Sequence, residues 1–155
     1  MNEKFKNIIE SLEPAYRSLI GKNTFTIATL PSDIPNSGIY ILYDNGNAIF
    51  VGRTNRMKLR LKEQCRMSSN HNTASLAFKI AREATINKKA TYTSDKSRKA
   101  LEIDPYFKAE FQRAKQRISS MDVKIIKEED PVRQCLLQIY TALATGAKYN
   151  DFETH

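Results

Sequence analysis

Four side chains set the chemical options of this chain: the phenol of Tyr40, the guanidinium of Arg60, and the amides of Gln138 and Asn150. A phenol ionises near pH ~10, so Tyr40 acts as a base only beside cations, with Arg53 and Arg60 the candidates. Its ordinary alternative is packing on one face of a strand. Arg60 offers a planar fork that holds phosphate oxygens in pairs and offsets charge growing in a transition state. The ordinary alternative there is a solvated helix arginine. The amide oxygen of Gln138 can ligate a hard cation but brings no charge, and Asn150 either braces a site or serves a turn. His71 is a candidate proton carrier, set against the commoner exposed loop histidine.

The elements that position these groups follow from local pattern. Phe5, Ile8, Ile9, Leu12 and Leu19 recur at helical spacing, and Pro14 is expected to kink or divide that helix. Thr24–Leu30 is β-prone, and Pro31 and Pro35 lead extended into a hairpin whose turn is Asp44-Asn45-Gly46-Asn47. The hairpin strands are expected at about 38–44 and 48–52. Thr54 or Asn55 then caps a helix from about Arg56 to Cys65, with Met57, Leu61 and Cys65 inward and Arg60 and Gln64 sharing another face. A helix from Thr73 to about Ile86 turns Ala77, Ile80, Ala81 and Ala84 inward, and Lys79 and Arg82 outward. After a basic stretch without helical period, Asp104-Pro105 opens a helix to about Ile118, and Asp122–Lys127 is a third strand. Asp130-Pro131 begins a last helix that Gly146 closes. The fold class expected is α/β of α+β type: a small three-stranded antiparallel sheet flanked by helices.

Gly38-Ile39-Tyr40, Phe50-Val51-Gly52, a helix carrying Arg60, and a late helix followed by Asn150 occur in that order. Position 50 follows Tyr40 by ten residues, and Arg60 follows position 50 by ten more. This arrangement resembles the GIY-YIG nuclease domain family over about 37–66 and 120–155. On that reading 1–36 is an N-terminal helical extension and 67–119 a helical insertion within one domain. The resemblance implies metal-dependent hydrolysis of a DNA phosphodiester with one Mg2+ or Mn2+ ion. Tyr40 would then help deprotonate water, Arg60 would hold phosphate, and Asn150 would bind phosphate or brace the site. Arg53, beside the second glycine, would meet phosphate as well. The family's metal-binding glutamate stands twelve residues before its asparagine, which here is position 138.

Three positions depart from the family. Phe50 stands where a tyrosine is usual, Gln64 where relatives often carry histidine, and Gln138 where the glutamate belongs. His71 could swing into the space that Gln64 leaves without a proton carrier. The charge missing at Gln138 is worth roughly 4 kcal/mol per unit of cation charge at about 4 Å and an effective dielectric of ~20. That loss is expected to weaken or abolish metal binding. Two origins stay open: a Glu→Gln change that traps a nuclease on uncut DNA, or natural divergence to binding alone.

The chain has 25 Lys and Arg against 17 Asp and Glu, a net charge of +8, which favours a polyanionic partner. Arg53, Arg56, His71, Lys79, Arg82, Lys88, Lys89, Arg98 and Lys99 are the candidate DNA contacts, the usual alternative being a solvated face. Only two cysteines are present, at 65 and 135, without zinc-ligand spacing, and no apolar run reaches membrane-spanning length. A cytoplasmic protein with reduced thiols and no membrane partner is expected. The leading expectation is a DNA endonuclease, a hydrolase, disabled in this chain by Gln138. The alternative is a non-catalytic nucleic-acid-binding module of the same fold; a protein-interaction domain is a third class. Pairing of two copies into a homodimer is left open.

Overall fold

The computed structural model describes residues 1–85 and 97–153. Along the chain run helix α1 (Glu3–Ile20), strands β1 (Gly38–Asp44) and β2 (Asn47–Thr54), and helices α2 (Met57–Cys65), α3 (Ser75–Ala84), α4 (Arg98–Ile103) and α5 (Pro105–Ser119). Strand β3 (Asp122–Lys127) and helix α6 (Pro131–Thr145) complete it. The fold is α+β, with one three-stranded antiparallel sheet in the order β2-β1-β3. The chain forms two compact units, Met1–Lys58 with Met121–His155, and Leu59–Ser120.

The first unit is built on the hairpin. Asn45 and Gly46 both take positive φ, 51° and 81°, the two-residue turn whose twist suits paired strands. Opposite Leu42 and Tyr43 the register slips, leaving Ile49 as the extra residue of a bulge. One face of the sheet, with Ile39, Ile41 and Val51, packs against Ile8, Leu12 and Leu19 of α1 and Leu137 and Ala142 of α6. Lys124 on β3 donates from Nζ to Ile20 O at 2.5 Å, setting a cation at the C-terminus of α1. Asp104 and Asp130 cap α5 and α6 through side-chain bonds from Phe107 N and Arg133 N, and Gly146 ends α6 in the left-handed conformation at φ 67°.

Several sequence expectations are corrected. α1 passes through Pro14 without dividing, and Pro14 lies exposed on it; Phe5 and Ile9 are exposed as well, so the buried stripe is Ile8, Leu12 and Leu19. Thr24–Leu30 is no strand. Phe25 makes a single bridge to Val123, after which Ile27–Thr29 turns as a 3-10 helix. Thr26 N donates to Thr29 Oγ1 at 3.0 Å, a local side-chain bond that competes with a sheet ladder. On α6 a helical wheel of the sequence sets an apolar arc of Leu136, Ile139 and Leu143, but the buried residues are Gln134, Leu137, Thr141 and Ala142, and Leu143 is exposed.

The second unit packs α3 and α4 against α5. Its centre is aromatic: the Phe78 ring lies 5.0 Å from Phe107 and 5.8 Å from Phe111, tilted or edge-on as aromatic quadrupoles prefer. Ala84 is exposed, not inward, and the buried face of α3 includes Leu76 and Phe78. Lys115, 1% exposed, is enclosed here. Its Nζ donates to Met67 O at 2.9 Å and Ser69 O at 2.6 Å and lies 4.1 Å from the Phe111 ring centroid.

The two hairpin glycines have steric reasons. A Cβ at Gly38 would stand 2.0 Å from Ile126 O, and one at Gly52 would stand 2.2 Å from Tyr40 Cζ. Gly52 faces Tyr40 directly across the strand pair, so the glycine leaves room for the ring. Alanine at either position is expected to cost roughly 1–3 kcal/mol in denaturant unfolding. Tyr40→Leu should relieve Gly52→Ala in a double-mutant cycle and leave Gly38→Ala unrelieved, since that clash is with backbone. Additivity at Gly52 and Tyr40 would remove the steric account.

Burial lowers the pKa of Lys115, and Glu102 partly opposes the shift. The folded chain therefore releases this proton before the unfolded chain does, and the stability contributed at this position rises with pH up to the ordinary lysine value of 10.5. Urea titrations should show the gap between the native chain and Lys115→Met moving in favour of the native chain from neutral pH toward 10.5. A pH-independent gap would contradict the assignment.

Candidate functional site

Tyr40, Phe50, Gln138 and Asn150 gather around residues 50–52 of β2. Strand β2 is an edge strand, so the peptide groups it turns away from β1 need partners from elsewhere. Asn150 supplies them at Val51: Val51 N donates to Asn150 Oδ1 at 2.8 Å, and Asn150 Nδ2 donates to Val51 O at 2.8 Å. An amide side chain thus pairs with the strand as a neighbouring peptide would. Gln138 Nε2 donates to the same Val51 O at 3.0 Å, and Tyr149 N donates to Ile49 O of the bulge at 2.9 Å.

Gln134, which the sequence reading did not single out, acts one turn earlier on α6. It is 4% exposed, and its Nε2 donates to Glu128 O at 3.0 Å and Asn55 Oδ1 at 3.2 Å. The signal that could have found it is the pair of glutamines four apart on one helix face, Gln134 and Gln138. Asn55 is thereby engaged, and Thr54 Oγ1 accepts from Arg56 N at 2.9 Å ahead of α2.

Tyr40 is 1% exposed, with its ring beneath Gly52 and 6.2 Å from the Phe50 ring. The phenol packs across the strand pair, in the manner of the ordinary alternative given for it. Arg53 is exposed, with Nη1 3.4 Å from Pro131 O. Arg56 is exposed too.

In the second unit Arg60 Nη1 donates to Thr73 O at 2.7 Å and lies 3.3 Å from Glu63 Oε2. Gln64 is buried, whereas Arg60 one turn earlier is half-buried. His71 is neither a free loop side chain nor poised to swing: its Nδ1 stands 3.0 Å from Glu102 Oε1, its backbone N–H donates to the same carboxylate, and its ring lies 5.8 Å from Phe78. Lys79 and Arg82 are half-buried, and Arg98 and Lys99 are exposed. Lys88 and Lys89 lie outside the described residues.

No family model, no curated protein and no solved structure matches this chain.

The residues present at position 138 do not fit a divalent cation. Magnesium and manganese take oxygen lone pairs, preferably from carboxylates. Gln138 and Asn150 turn N–H groups on their shared carbonyl, and the oxygen of Asn150 is occupied by Val51 N–H. Among the described residues no three His, Cys, Asp or Glu side chains gather as a metal site. The arrangement closes a sheet edge.

Asn150→Ala leaves the Val51 N–H without its amide partner and the Val51 carbonyl with Gln138 alone, an expected loss of about 1–2 kcal/mol in chemical denaturation. Asn150→Asp keeps the acceptor and loses the donor, and should fall between native and alanine. A neutral Asn150→Ala would show that water replaces the amide at no cost.

Proposed function

We propose that this chain is a non-catalytic nucleic-acid-binding module on a GIY-YIG-like core, in which positions that the resemblance would give to metal and phosphate hold the fold together. The observation that carries this reading is the convergence of Gln138 and Asn150 on the Val51 peptide. Burial of Tyr40 and engagement of Arg60 by Thr73 and Glu63 support it. Binding would rest on the net charge of +8 and so weaken steeply with salt. Among the described residues no helix is long and apolar enough to cross a membrane.

A second reading, a Mg2+- or Mn2+-dependent DNA endonuclease disabled at position 138, is favoured by the gathering of Tyr40, Gln138 and Asn150 within three residues of one strand. In that reading Gln138→Glu restores the missing charge.

One pair of measurements separates the two. In the binding module, Gln138→Glu turns a carboxylate onto Val51 O, lowers thermal stability at neutral pH, regains it as acid protonates the side chain, and is indifferent to Mg2+. Plasmid DNA is bound and left uncut by both forms. In the disabled nuclease, Mg2+ or Mn2+ stabilises Gln138→Glu and plasmid cleavage appears. Cleavage by that variant overturns the module, and absence of all nucleic-acid affinity at low salt overturns both.

A further inference from the structure

Helix α6 carries one charged side chain in 15 residues, Arg133, although 27% of the chain is charged. That charge is already engaged, since Arg133 Nε donates to Glu128 Oε1 of the same chain at 3.0 Å. The buried residues of α6 are Gln134, Leu137, Thr141 and Ala142. On the opposite side a surface helix ordinarily carries polar and charged groups. Here that side carries Val132, Leu136, Ile139 and Leu143, with Val132 51% and Leu143 70% exposed and the two between them half-buried.

Apolar residues exposed singly are ordinary, as Ile103 and Tyr106 are elsewhere in this chain. The four on α6 differ in their spacing. They follow one another by four, three and four residues, the 3.5-residue rhythm of a seam that packs against a second helix. Helix α1 lies along one flank of α6, where Tyr16 meets Tyr140 edge-on with ring centroids 5.5 Å apart. Phe5 and Ile9, both exposed, stand on the same stripe of α1 as Tyr16. They widen the apolar surface beyond a single helix, as an interface above about 1,000 Å² requires.

The spacing of the seam reads the same in both directions, which makes it complementary to itself. Two copies of α6 laid antiparallel about a two-fold axis set Val132 against Leu143 of the other copy and Leu136 against Ile139, so every seam position faces an apolar one. Charge favours the same occupant. A chain of net charge +8 repels its own kind, and α6 is where two copies approach without bringing free charges together. We propose that the outer face of α6, widened by Phe5 and Ile9, is the two-fold interface of a homodimer in which the two α6 helices pack antiparallel. This goes beyond the nucleic-acid reading and needs no nucleic acid to form.

Val132→Glu adds an acid in the first turn of α6 and Leu143→Lys a base in the last, both favourable to the helix dipole, so neither should harm the fold. In sedimentation equilibrium of the full chain without nucleic acid, the native chain should run as a dimer. Each variant should run as a monomer with the circular dichroism of the native chain. An equimolar mixture of the two variants should recover the dimer, because the new acid of one copy then meets the new base of the other. Ile103→Lys, which charges an exposed apolar residue outside this face, should leave the dimer intact. A native chain that is monomeric at every concentration overturns the homodimer and leaves the face to a helix of another protein. A dimer that persists in both variants, or is lost in Ile103→Lys, overturns the α6 interface. Variants that stay monomeric on mixing overturn the antiparallel pairing.

Discussion

An edge strand must have its outward peptide groups satisfied, and in this protein that requirement falls on Val51. Its N–H and C=O face away from β1, and the chain answers with Asn150 and Gln138, brought from 99 and 87 residues away. Much of the first unit follows from this grip. It fixes where α6 lies along β2, draws Tyr149 onto the bulge at Ile49, and turns the segment after Gly146 back along the sheet instead of into solvent. At Val51 the side-chain amides also block the edge from pairing with another chain.

The same grip decides what the cluster around residues 50–52 is able to do. Donors directed at a carbonyl are the opposite of what a hard cation requires, and a phenol enclosed beneath a glycine is shielded from water. Amides suit a peptide edge because each carries one donor and one acceptor face, as the peptide does. A carboxylate at position 138 would suit a cation and be repelled by the carbonyl. One position cannot serve both ends well, and the residue present serves the fold.

How much of this was legible in the sequence depended on the range of the interaction. The hairpin was readable because Asn45-Gly46 specifies its own turn, and β3, α5 and α6 because Asp-Pro pairs and Gly146 mark their ends locally. Thr24–Leu30 was misread because two threonine hydroxyls outbid a ladder that β propensity alone favoured. Helix α4 is only six residues long and begins in a basic stretch without periodicity, so its one local signal, the Ser97 N-cap, was not enough to mark it. The amide contacts were illegible for a different reason. A glutamine on a helix can face solvent, a metal or a carbonyl, and only the folded edge of β2 selects among these.

The order of elements along the chain carries a consequence for how the molecule forms during synthesis. Between the end of β2 at Thr54 and the start of β3 at Asp122 lies the whole of the second unit, yet the central strand β1 needs β3 as its other neighbour. A lone two-stranded hairpin is marginal in water. At ~5–20 residues per second, a ribosome takes several seconds to add the intervening chain. Throughout that interval the hairpin waits with both flanks of its sheet uncovered, and by its end α3, α4 and α5 have one another as partners before β3 has been made. The inserted unit is thus placed to fold first, and the sheet that surrounds it in sequence is finished last, when Asn150 emerges to close its edge.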